Sequence, residues 1–295
     1  LSNNLARKIL SSEAVNTLRL LAGKSKLSMT TDGKHLNLTS AEKKQLRKEG
    51  KMMRLDATTW LAMTLLNPES TQGFEVYRID SPEVIDHLGL EQVDANGVPM
   101  HRKYYSHAEL RAKMDKIMSQ ARAANEKPAN TQTRFERAIL SLSNKVFAYD
   151  RVASGLSRRE VDFASLVASY DKLVPQVIDL PEDTAAWTEE QHEAFKLITP
   201  LGSMINNLAA DSPFNFIPPN STKPEDTEWH NGFDLLIRSF AEKSPAALPP
   251  AQYLADMQRT WKAGTPEAAE SFNGALASFQ QAMTAELPEK VRGKV

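Results

Sequence analysis

The stretch from Arg134 to Ala153, RFERAILSLSNKVFAYDRVA, runs without Gly or Pro and places Phe135, Ile139, Leu142, Val146, Tyr149 and Ala153 at steps of three and four. That spacing lines one face of an α-helix and no face of a strand. The same pattern recurs on both sides. Asn3 to Ala22 carries Leu5, Ile9, Leu10, Val15, Leu18 and Leu21 and stops at Gly23. Near the C-terminus, Pro266 to Glu286 carries Phe272, Leu276, Phe279 and Met283, with Leu287 next on the stripe. Gly is scarce, at 12 in 295 residues, and β-branched runs are few. The chain therefore reads as mainly α, a multi-helix array or bundle.

Cap and breaker residues set the other elements. Ser40 caps a charged helix to Lys48, and Asp56 caps Ala57 to Leu66 ahead of Pro68. Ser81 and Pro82 open a short helix to Leu88, and Ser106 opens His107 to about Asn125. Further helices are expected over Arg158–Leu173, Glu189–Leu208, Thr227–Lys243 and Pro250–Trp261. Phe74 to Ile79 alternates as a short strand. One small β-hairpin stands near the N-terminus, where Lys26–Thr31 and Lys34–Thr39 flank Asp32-Gly33. A two-residue type I′ turn there sets Met29 opposite Leu36 and Leu27 opposite Leu38. The break at Lys127–Asn130 divides the chain into an N-terminal helical part with the hairpin, residues 1–127, and a C-terminal long-helix part, 128–295.

Composition excludes several function classes. Lys and Arg total 36 against 37 Asp and Glu, a formal net charge of -1. Phosphate neutralisation by a nucleic-acid binder calls for a basic excess, so no nucleic-acid partner is expected. The most apolar runs, such as Leu61 to Leu66, fall far short of the ~18 residues of a membrane span. Cysteine is absent, which removes disulfides, thiol catalysis and thiolate metal sites. The chain begins at Leu1 rather than Met, which suggests a segment cut from a longer protein, its flanking membrane helices removed.

No catalytic signature emerges. There is no Gly-x-Ser-x-Gly, no dinucleotide fingerprint and no P-loop; Gly23-Lys24-Ser25 lacks the upstream glycine and reads as a helix end. The six histidines form no His-Glu-x-x-His pair. His101 and His107, flanking Tyr104-Tyr105, are the only candidates for a haem or metal ligand, against the ordinary reading of surface or capping residues. Lys43, Lys44, Arg47, Lys48 and Lys51 form a basic run, with Lys24, Lys26 and Lys34 not far off. It is either a solvated helix face or a contact for anionic lipid headgroups or an acidic partner.

Several segments carry a family resemblance by their order and spacing. They are Leu5-Ala6-Arg7 through Leu20-Leu21-Ala22-Gly23-Lys24, Thr59-Trp60-Leu61, Val76 to Val84 followed by Leu88-Gly89-Leu90, Tyr104-Tyr105-Ser106 with Glu109-Leu110, Ile217-Pro218-Pro219 leading to Glu228-Trp229, and Ser271-Phe272-Asn273 in the tail. Together they resemble the soluble segment of fused cytochrome c biogenesis proteins of planctomycete and verrucomicrobial type, which carry a CcsA-like haem-handling membrane domain. The resemblance implies an extracytoplasmic, periplasmic-face domain anchored by membrane helices outside this chain. It implies no enzyme activity, catalytic residue, metal or cofactor in this segment, with haem handled elsewhere in the full-length protein. The implied partners are the protein's own membrane domain and apocytochrome c. On that reading, missing cysteines suit a domain working beside other proteins' thiols. The alternative is a general helical binding or scaffold module of the envelope, unrelated to haem.

Overall fold

The computed structural model describes residues 3–35, 40–90, 92–93, 99–100, 102–158, 161–212, 214–219, 228–241 and 248–286. It is 67% helical. The sheets of the described residues are small antiparallel pairs. The mainly α reading with a small N-terminal hairpin therefore stands.

The N-terminal elements are α1 (Asn3–Ala22), β1 (Lys26–Thr30), α2 (Ser40–Lys48), β2 (Met52–Asp56), α3 (Ala57–Leu66), β3 (Glu75–Arg78) and α4 (Pro82–Leu88). They are followed by β4 (Gln92–Val93), β5 (Pro99–Met100), β6 (Tyr104–Ser106), α5 (His107–Arg111), α6 (Met114–Asn125) and α7 (Arg134–Ala153). Local signals set many of these bounds. Asp56 caps α3 by accepting the Thr58 and Thr59 N–H groups at 3.0 and 3.1 Å. Ser106 and Glu109 form a reciprocal capping box on α5. The expected single helix from His107 is broken at Ala112-Lys113, where the Lys113 N–H turns to the Leu110 carbonyl. No Gly or Pro marks that break; it falls between Leu110 and Ile117, both fully buried.

The hairpin turn differs from the expected form. Gly33 N–H bonds the Thr30 carbonyl and Thr30 N–H bonds the Lys34 carbonyl, both at 2.9 Å, with Gly33 at φ +84°. This is a three-residue loop, Thr31-Asp32-Gly33, with a bulged glycine, in place of the two-residue turn. Thr30 thus takes the place opposite Lys34. The expected Met29–Leu36 and Leu27–Leu38 pairs lie outside the described residues. The described partner of β1 is β2, antiparallel, with Leu27 against Leu55 and Met29 against Met53. Leu27, Met29 and Leu55 are buried, so the alternation is used as read.

Contacts divide the chain into two compact units, one of residues 11–64 and 68–152, the other of residues 1–10, 65–67 and 153–295. This division falls at the C-terminal end of α7. The stripe on α7 is the cause: Tyr149 stacks on His107 at 4.2 Å and lies 5.9 Å from Tyr77 and 6.2 Å from Trp60. Its hydroxyl hydrogen-bonds the Thr71 hydroxyl at 3.0 Å. Four large rings from β3, α3, α5 and α7 so form one buried centre of the first unit.

The second unit holds β7 (Ser157–Arg158), β8 (Val161–Asp162), α8 (Phe163–Val177), α9 (Glu189–Asp211), α10 (Asp234–Ala241), α11 (Pro249–Ala263) and α12 (Pro266–Glu286). Two expected helices begin late. The one expected from Arg158 starts at Phe163, because β7 and β8 pair first and Asp162 then caps α8 through the Ser165 N–H at 2.7 Å. The one expected from Thr227 starts at Asp234. His230 is bridged to Ile217, and the Asn231 side chain takes the Phe233 N–H at 3.0 Å, which turns the chain before the helix can begin.

Gln258 on α11 is fully buried and satisfied. It accepts from the Ala164 N–H at 2.9 Å and donates to the Leu156 carbonyl and the Ser157 hydroxyl at 3.2 and 2.9 Å. Gln258→Leu keeps the volume and strands the Ala164 N–H, while the Leu156 carbonyl keeps the Phe163 N–H at 3.0 Å. The expected loss is roughly 2 kcal/mol in urea unfolding; an unchanged midpoint contradicts this role. No helix of the described residues is long and apolar enough to cross a membrane.

Candidate functional site

In the first unit a cleft of about 260 Å³ is lined by Lys24, Lys26, Leu27, Ser28, His35, Lys43, Arg47, Met52 and Tyr104. Four of these side chains are cationic. Their convergence follows from local structure. On α2, Lys43 and Arg47 are four apart and share one helix face, while Lys44 and Lys48 share the next. Gly50 ends the helix at φ +68°, with its N–H on the Arg47 carbonyl and the Lys51 N–H on the Leu46 carbonyl. Thr31 N–H then bonds the Lys51 carbonyl at 3.0 Å. These bonds tie the end of α2 to the end of β1, and Lys26 and Ser28 stand on the β1 face opposite the buried Leu27 and Met29.

The aromatic wall is His35 stacked on Tyr104, centroids 4.1 Å apart and planes 13° from parallel. The His35 N–H donates to Glu75 Oε2 at 2.6 Å. Glu75 is buried, and its other oxygen meets Arg102 Nη2 at 3.0 Å and Lys34 Nζ at 3.7 Å. Arg102 continues to Glu109 at 2.8 Å. A carboxylate network behind the cleft therefore holds its histidine in place.

The electrostatics are one-sided. Burial, then the charges of Lys24 and Lys43, push the His35 pKa down to about 4, so the ring is neutral at neutral pH. Its Nε2 is buried without a hydrogen-bond partner among the described residues. Lys24, Lys26, Lys43 and Arg47 form no ion pair with a described carboxylate, whereas Lys34 and Lys51 are matched by Glu75 and Glu49. The basic run of the sequence is thus sorted by the fold. Two of its members join Lys24 and Lys26 in the cleft, and Lys51 is neutralised outside it. His35 and Tyr104 are the members that the sequence did not single out.

Of the two candidate haem ligands, His101 lies outside the described residues. His107 lies in the buried aromatic centre, with Nδ1 3.0 Å from the Tyr77 hydroxyl and Nε2 3.5 Å from Asp150. Burial, then Arg111, lowers its pKa to about 4, and burial raises that of Asp150 to about 6. The two ring nitrogens face protein partners, so iron ligation at His107 needs that centre to open. Among the described residues no group of three or more His, Asp or Glu is placed to hold a metal ion.

These shifts fix a pH dependence. Between pH 6.5 and 4 the unfolded chain takes protons at His35 and His107 that the folded chain refuses, so stability falls as pH falls. Asp150 acts the other way, taking its proton earlier in the folded state. Two histidines oppose one carboxylate, and the net effect is loss. His107 contributes at most about 2 kcal/mol of it at pH 5. The urea midpoint is expected to be lower at pH 5 than at pH 7, and His107→Gln to shrink the difference. A higher midpoint at pH 5 contradicts this assignment.

Comparison with family models, with curated proteins and with solved structures gives no match.

Proposed function

We propose that this chain is a non-catalytic binding domain of a cytochrome c biogenesis membrane protein. It works at the periplasmic face, where it positions apocytochrome c or braces the haem-handling membrane domain. The observation that carries the binding part is the cleft. Four cations without described carboxylate partners surround a cavity beside a neutral, half-buried histidine. Unneutralised charge gathered in one concavity is costly unless an anion meets it, and it raises the local concentration of anionic ligands. The assembly context rests on the ordered resemblance of Leu5–Lys24, Val76–Val84, Tyr104–Leu110 and Ile217–Trp229 to the extracytoplasmic segment of that family.

Co-purification tests the reading. The native full-length protein, extracted from membranes, is expected to retain apocytochrome c, or to keep its membrane domain resistant to thermal unfolding in detergent, in a manner that depends on this segment. Both properties unchanged when the segment is removed contradict it.

A further inference from the structure

We propose that the cleft between α2, β1 and Tyr104 is a binding site for a phosphoryl group. Charge, donor type and size converge on that ligand. A single carboxylate is matched by one guanidinium, whereas Lys24, Lys26, Lys43 and Arg47 supply four positive charges around one cavity. The natural complement is a compact oxyanion with several acceptor oxygens. Arg47 offers the planar fork that grips two of them, and the lysines serve as point charges around the rest. The cleft also offers neutral donors in the Ser28 hydroxyl and the His35 imidazole. With its pKa pushed to about 4, His35 brings a ring nitrogen and no fifth charge. Its Nε2, buried without a described partner, is a group whose desolvation a ligand oxygen offsets.

Size narrows the ligand further. A cavity of about 260 Å³ admits a phosphoryl group with a small polar substituent. It is smaller than the sites that enclose drug-sized ligands. The site is built, not incidental: Glu75 fixes the His35 backbone, Arg102 fixes Glu75, and Tyr104 stacks on the ring. The same chemistry comes from a lipid headgroup or from free phosphate. This inference does not depend on the cytochrome c reading, since the cleft exists whatever the domain's partner.

Calorimetry of the whole chain with inorganic phosphate at low ionic strength tests it. One phosphate is expected to bind per chain, and Lys43→Gln with Arg47→Gln to weaken binding at least about tenfold. Neither side chain is buried, and an unchanged circular dichroism melt certifies the variant's fold. Tyr104→Leu, which removes the stack and leaves every charge, is a second variant expected to weaken binding less. No heat with the unaltered chain overturns the proposal, as does equal affinity in the charge variant. Vesicles separate the sources. Retention on phosphatidylglycerol vesicles but not on phosphatidylcholine, released by free phosphate, supports a headgroup. Phosphate binding without vesicle retention supports a free or soluble phosphoryl ligand. Retention that phosphate does not release and the charge variant keeps overturns the proposal, because the anion then binds elsewhere.

Discussion

Arg102→Met is expected to lower the unfolding free energy of the first unit by about 3–5 kcal/mol, the usual cost of leaving one buried charge without its partner. Arg102 is largely buried and donates to two carboxylates, Glu75 at 3.0 Å and Glu109 at 2.8 Å. It also covers the Tyr105 ring, 4.8 Å from its centroid. Methionine restores the apolar stem and nothing else. Glu75, 5% exposed, is then left with Lys34 at 3.7 Å, a poor substitute. Glu109 keeps its capping bonds from the Ser106 N–H and hydroxyl, so the damage concentrates on Glu75. Arg102→Met with Glu75→Gln is expected to recover part of the loss, because a neutral amide still accepts the His35 N–H. Urea unfolding of the two variants checks this; equal midpoints for Arg102→Met and the unaltered chain contradict it. The cleft is expected to suffer in parallel, since Glu75 is what holds His35.

Gly33→Ala is the second large effect, expected near 3 kcal/mol from backbone strain of about 1–2 and steric overlap of about 1–3. Gly33 sits at φ +84°, and a Cβ there would lie 2.9 Å from the Phe74 Cα as well as against the Phe74 ring. The ring could rotate; the backbone cannot retreat, because the Glu75 N–H is bonded to the Gly33 carbonyl at 2.8 Å. Gly50 provides the control. It has φ +68° and open space around its Cβ direction, so Gly50→Ala carries the backbone cost alone, about 1–2 kcal/mol. Differential scanning calorimetry of both variants separates the two contributions. Equal losses at the two positions contradict the close approach of Phe74.

Much of this fold was legible because its signals are local. Gly23 ends α1, Asp56 caps α3, Pro82 opens α4, and the spacing from Ile139 to Tyr149 buries one face of α7, with Val152 buried at its end in place of the expected Ala153. What was not legible depends on residues distant in sequence. Met52–Asp56 has no strong strand pattern and becomes β2 only because β1 is present to pair with it. The helix expected from Arg158 lost its first turn to the β7–β8 pair, and Asp162 is a better cap than Arg158. Asp32-Gly33 fits either a two-residue or a three-residue turn, and the bond from Glu75 N–H to Gly33 carbonyl accompanies the second. The candidate site divides the same way. The run from Lys43 to Lys51 stood out as charge, undivided, and only the cleft separates Lys43 and Arg47 from the rest. The stacking of His35 on Tyr104 did not, because it depends on β6 lying beside β3 and on Glu75 gripping the turn.

The cytochrome c reading is tested most sharply by the amount of covalently haem-bound cytochrome c in cells whose native full-length protein lacks residues 11–152, a deletion that removes the unit carrying the cleft together with residues 65–67. Measured by haem staining of separated membrane proteins, and with the truncated protein still present in the membrane, mature cytochrome c is expected to fall clearly. Mature cytochrome c at the unaltered level contradicts it.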